Sequence, residues 1–163
     1  MPNNCGILTF KGVKIGAPLD YFVEKLESCG CTKADEEKEK YSVVYYGDFA
    51  TFRRCRIELE YTPISMRVYV IRVDVDDVSN DDVTHIDRYK LIRKLLREKY
   101  EKHYFKESKS GERPRVVTTL FEFQFNQSII LKVSENFFYM RYMDETYTSL
   151  CEEEEKDLIL EDL

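Results

Sequence analysis

The residues able to do chemistry in this chain are few and scattered. Five cysteines, Cys5, Cys29, Cys31, Cys55 and Cys151, make an odd number and do not suggest a full disulfide framework. Cys29-Gly30-Cys31 is a C-x-C at a predicted helix C-terminus. That end of a helix opposes a thiolate, whereas redox cysteines sit at the positive N-terminal end. A metal site would need further ligands. The two histidines, His85 and His103, both belong to the second helical region and complete no C-x-x-C…H-x-x-x-H pattern. Cys55 leads into an apolar-alternating strand and reads as a buried, reduced thiol. A Cys–His pair such as Cys55 with His103 would be a nucleophile and base, but nothing in the sequence activates it.

Carboxylates are densest between Asp74 and Asp82. A calcium loop needs ligands at alternating positions, a glycine for the sharp turn and a closing glutamate. Val78 breaks the alternation and no glycine is present, so these aspartates are expected to cap the second helix. No Gly-rich phosphate loop, G-x-S-x-G or H-E-x-x-H occurs. A glycosidase pair needs two acids held in a cleft, which spacing alone does not place. No catalytic residue, cofactor or metal is therefore assigned.

The net charge of −6 argues against a nucleic-acid partner held by phosphate neutralisation. Basic clusters exist at Arg53, Arg54 and Arg56 and along Lys90, Arg93, Lys94 and Arg97. Each has glutamate neighbours, such as Glu58 and Glu98, and reads as a solvated mixed-charge face. No segment is apolar enough to span a membrane. Residues 1–6 lack the basic region and apolar core of a secretory signal. As written, the chain is expected in the cytoplasm, or in the periplasm if a signal has been removed.

The elements that must position these residues follow a weak internal repeat. The expected fold class is α+β, in a single globular domain over 1–163. Residues 18–75 and 86–143 each read as one amphipathic helix followed by three strands. Together they predict one mainly antiparallel, six-stranded sheet with two helices packed on one face. Pro18 opens the first helix, Leu19, Phe22, Val23 and Leu26 form its apolar face, and Gly30 stops it. The charged run from Asp35 to Lys40 reads as a solvated turn, and Gly47-Asp48 as a strand break. Ile57, Leu59 and Tyr61 alternate with Arg56, Glu58 and Glu60, a strand with one wet face. The second helix spans about Val83 to His103, with Ile86, Tyr89, Ile92, Leu95, Leu96 and Tyr100 as its stripe. Lys106 to Arg115 reads as a flexible loop. Val117, Thr119, Phe121, Phe123 and Phe125 share one face of the next strand, with Leu120 the exception on the other. Acidic residues from Cys151 to Leu163 form a tail, either a short docking helix or a frayed end.

Two resemblances attach to these patterns. Phe10-x-Gly12-Val13-x-Ile15, then Leu19-x-x-Phe22-x-x-Lys25-Leu26-x-x-x-Gly30, resembles the opening of a family of uncharacterised small proteins from Bacteroides-type bacteria. Gly47-Asp48-Phe49-Ala50-x-Phe52-x-x-Cys55 is similar to a second block of that family. Lys99-Tyr100, Tyr142-x-Asp144 and Glu161-Asp162-Leu163 match more weakly. Glu101 departs from the glycine usual there. The resemblance implies no activity and no site residues. In fold alone, tandem helix-plus-strand units on one sheet resemble the β-lactamase inhibitor protein, which binds other proteins through an exposed sheet face. Fold does not imply function.

The expected function is a non-enzymatic module that binds a protein or peptide on the solvent face of the sheet. Glu58, Glu60, Glu122, Gln124, Lys132, Tyr139 and Arg141 are the residues assigned to that face. A small-molecule or lipid carrier, with a Phe- and Tyr-lined pocket between helices and sheet, ranks second. An enzyme of unrecognised type using Cys55, His85 or His103 ranks third. Partner identity and oligomeric state are not legible.

Overall fold

Alternating apolar and polar residues build an eight-stranded sheet in which every neighbouring pair runs antiparallel. A computed structural model describes residues 6–36, 41–75, 83–102, 104–112 and 116–163. Cys5, His103, most of the 74–82 carboxylate cluster and the end of the 35–40 charged run lie outside the described residues.

A hairpin of β1 (Thr9–Phe10) and β2 (Val13–Lys14) leads into α1 (Leu19–Ser28). Lys11 and Gly12 both have positive φ in its turn, and Gly12 adopts that conformation without a steric penalty. Next come β3 (Thr32–Lys33), β4 (Ser42–Phe49), β5 (Phe52–Tyr61) and β6 (Val68–Asp74). The second part holds α2 (His85–Tyr100), β7 (Tyr104–Glu112), β8 (Val116–Phe123), β9 (Gln127–Val133) and β10 (Phe138–Asp144). The chain ends in α3 (Thr146–Asp162). Strand order is β3-β4-β5-β6-β10-β9-β8-β7, so β6 and β10 join the two parts at mid-sheet.

The α+β class and the antiparallel sheet match the expectation. The strand count does not: four strands follow each helix rather than three. Of the segment expected to be a loop, Lys106 to Arg115, residues 106–112 belong to edge strand β7, and 113–115 lie outside the described residues. Backbone pairing to β8 holds the polar stretch from Lys106 in the sheet. It is also clamped from above, where Glu107 takes Arg93 at 2.8 Å and Arg97 at 2.9 Å from α2. At the opposite edge β3 is two residues long, too short to read from alternation. Gly47 does not end its strand, although the β4–β5 register shifts between Gly47 and Phe49. It sits inside β4, where the Cys31 thiol packs on its Cα and leaves no room for a Cβ.

α1 and α2 lie on the same side of the sheet. Leu19, Phe22 and Leu26 from α1 and Tyr89, Ile92, Leu96 and Tyr100 from α2 join one core with Ile57, Leu59, Ile71, Phe121, Ile129 and Leu131. Phe10 enters between them, stacked on Phe49 at 5.5 Å and edge-on to Tyr142. Ile86 and Leu95 are exposed, because the apolar stripe of α2 follows 89, 92, 96 and 100, with Arg88 buried beside it. Thr84 and Asp87 cap α2 in a reciprocal box, a role expected of the preceding aspartates. Phe125 leaves the strand face for the β8–β9 turn and is 55% exposed. Phe125 and Asn126 both have positive φ there, as a two-residue hairpin turn requires.

The acidic tail is neither short nor frayed. α3 docks through Glu154, only 6% exposed, whose carboxylate accepts from the backbone N–H groups of Ile64 and Ser65 and from the Ser65 hydroxyl. No helix among the described residues is long and apolar enough to cross a membrane.

Candidate functional site

Alternation along five strands puts one set of side chains on the face opposite α1 and α2, and the register lines them up in rows. At mid-sheet Glu58, Arg72, Arg141, Ile130 and Leu120 stand side by side on β5, β6, β10, β9 and β8. One step towards the β6 C-terminus the row is Arg56, Asp74, Tyr139, Lys132 and Thr118. One step the other way it is Glu60, Val70, Met143, Ser128 and Glu122. Six of the seven residues assigned from the sequence thus share one surface. Gln124 does not join them: it lies past the end of β8. There it lines a cleft of about 240 Å³ with Glu122, Phe125, Ser128 and Glu145.

The β5–β6 part of this face is an internally satisfied ion network. Arg56 holds Glu58 at 2.8 Å, Glu36 at 3.4 Å and Asp74 at 3.9 Å. Arg72 chelates Asp74, with Nη2 at 2.9 Å and Nε at 3.1 and 3.2 Å from the carboxylate oxygens. Burial alone would lower the pKa of either arginine. Hydrogen bonds to Glu58 and Glu36, and to Asp74, outweigh it, and both pKa values rise. The Arg72 guanidinium also lies 3.9 Å over the Tyr139 ring, which stacks on Phe137. Such a column stiffens the surface, since a guanidinium loses little by stacking on an aromatic face.

The β8–β10 part is different. Arg141 faces Arg72 across β10 and β6. Its Nε and the Oγ1 of Thr118 are shielded from solvent and have no hydrogen-bond partner among the described residues. Around them Leu120, Ile130 and Met143 are half-exposed. A shielded guanidinium N–H without an acceptor is costly, and apolar neighbours raise that cost.

α3 covers one end of the same face. The Tyr69 hydroxyl on β6 is hydrogen-bonded to Cys151 of α3 and lies close to Glu60 and Glu155. Burial first, then that bond and those carboxylates, push the phenol well above its ordinary value. Glu60, expected on an open surface, therefore sits beside a helix. The tail showed acidity and a few leucines, but its sequence named no docking residue.

No protein-family model, curated protein or solved structure matches this chain.

The remaining chemical groups do not converge. Cys55 is 0% exposed and lies in the core under the helices. Cys29 is exposed at the α1 C-terminus, whereas Cys31 is buried and its thiol pKa is raised, chiefly by that burial. His85 is the first residue of α2. Among the described residues no three His, Cys, Asp or Glu side chains form a metal-binding group. Gln127 and Asp144 form a buried polar pair at 3.0 Å that ties the backbone N–H groups of Leu8 and Thr146 to the sheet end. Their bonds are satisfied within the fold, so they read as structure. Arg72, Asp74 and Ile130 were not among the residues expected on this face, and Thr118 and Leu120 were expected on the outer side of their strand without a role in it. The one visible signal was Leu120, an apolar residue on the wet side of its strand.

Proposed function

We propose that this chain is a non-enzymatic binding module, and that it holds a protein or peptide segment against the sheet face over β8, β9 and β10. The observation that carries the reading is Arg141: a half-buried arginine at mid-sheet whose Nε is shielded and has no acceptor among the described residues. A partner carboxylate or carbonyl laid on the face would pair with the guanidinium of this half-buried side chain. Leu120, Ile130 and Met143 would give the contact its apolar area. The full burial of Cys55 favours binding over cysteine chemistry, because a nucleophile must reach its substrate. We further propose that the order helix, four strands, helix, four strands reflects a duplication whose halves meet at β6 and β10.

The test is selection of a random-peptide display library on the immobilised protein. Enriched peptides are expected to lose binding to Arg141→Met and to Leu120→Ser, and to keep it for Lys90→Ala on the solvent side of α2. Peptides that bind all of these variants equally, or no enrichment at all, would overturn the reading.

A further inference from the structure

We infer that the occupant of the β8–β10 face is the acidic helix α3 of a second copy of this chain, in a reciprocal pair. This rests on the proposal that this face is a binding surface. The argument begins with charge. α3 holds seven acidic residues and one lysine, a net charge equal to the −6 of the whole chain. Taking its one lysine from the 25 Lys and Arg, and its seven acids from the 31 Asp and Glu, leaves 24 of each. Everything outside α3 is therefore balanced, and the chain's excess charge sits on one helix.

The face and the helix complement each other. The face offers half-buried Arg141, whose Nε has no hydrogen-bond partner among the described residues, and Lys132 against a single Glu122, among half-exposed Leu120, Ile130 and Met143. α3 offers exposed carboxylates with Ile159 at 61% and Leu160 at 56% exposure beside them. Ile159 and Leu160 are neighbours, so they give the acidic helix apolar area that a partner face would bury. Within one chain the two cannot meet, because Glu154 and Cys151 hold α3 at the β5–β6 end of the face.

Symmetry lets two chains do what one cannot. Stack two such faces about a twofold axis parallel to β6 and β10. The β5–β6 side of each sheet then lies over the β9–β8 side of the other. Each α3 fills the layer between the sheets on one side, and the contact is isologous. A 17-residue helix is about 25 Å long and about 10 Å across. Two helix-on-face contacts therefore bury on the order of 1,000 Å² in total, near the lower bound for a specific interface. A weak, concentration-dependent dimer follows.

Sedimentation velocity over a concentration series tests this, with circular dichroism melts to show that each variant folds. The wild-type chain should approach twice its 19.5 kDa mass as concentration rises. Arg141→Glu should weaken the dimer at least about tenfold, the scale for losing one well-placed charge pair. So should Leu160→Ser combined with Glu161→Lys. Mixing these two variants should restore association, because one intact face then meets one intact α3. A wild type monomeric throughout the series, or a dimer indifferent to both variants, overturns the inference. If the chain is monomeric but displayed peptides still depend on Arg141, the binding face stands and only its occupant is wrong.

Discussion

Arg141 and Arg72 stand directly opposite each other across the central strand pair, and of the two it is Arg72 that Asp74 chelates. Like charges in register oppose each other, and an antiparallel pair gives them little distance.

That pairing gives the first prediction. Arg141→Met should leave stability unchanged or raise it by about 1 kcal/mol, since it removes a like-charge contact and an unmatched shielded N–H. Arg72→Met should instead cost about 1 kcal/mol, a value discounted because the side chain is 42% exposed. Urea titrations of the two variants check the difference in sign.

Glu154 is the latch of α3. Glu154→Ala leaves the Ile64 and Ser65 N–H groups without their acceptor and should cost about 1–3 kcal/mol locally. Glu154→Gln should cost less, because the amide oxygen can still accept. Hydrogen exchange should show α3 opening in the alanine variant while β5, β6 and β10 stay protected. Loss of protection across the whole sheet would mean that α3 is part of the cooperative core.

The clamp between α2 and β7 should be sensitive to acid. Burial would raise the Glu107 pKa, but hydrogen bonds from Arg97 and Arg93 outweigh it and hold it below its ordinary 4.5. A depressed carboxylate pKa contributes stability that is present above the unfolded value and lost as pH falls through the folded one. Wild type should therefore lose stability faster than Glu107→Gln as pH drops below the ordinary carboxylate range. Parallel melting curves for the two at every acidic pH would refute the clamp.

Packing at Gly47 yields a double-mutant test. A Cβ there would collide with the Cys31 thiol and press on its Cβ and Cα at 2.9 and 3.0 Å. Gly47→Ala should destabilise by about 1–3 kcal/mol through overpacking. Adding Cys31→Ala should recover part of that loss, but not all, because the backbone approach remains. Additive effects in denaturant titrations would contradict the contact.

Much of the fold was legible because burial on one side leaves a period in the sequence. Ile57, Leu59 and Tyr61 against Arg56, Glu58 and Glu60 gave β5 its faces, and Phe22 and Leu26 gave α1 its buried stripe. β7 and β3 escaped because edge strands are held by backbone pairing, which leaves no apolar period. Gly47 was misread because its small size answers to Cys31, a neighbour 16 residues away in sequence, and not to local turn geometry.

The candidate site divides the same way. Side-chain alternation by itself determined that Glu58, Glu60, Glu122, Lys132, Tyr139 and Arg141 would point away from the core. Only the tertiary structure decided what each meets there. Register set Arg72 against Arg141, Asp74 went to Arg72, and α3 came to lie beside Glu60. The period of a strand is local, so a sequence records it. Which strand lies next, and where a terminal helix docks, is fixed by contacts between distant residues that no local pattern carries.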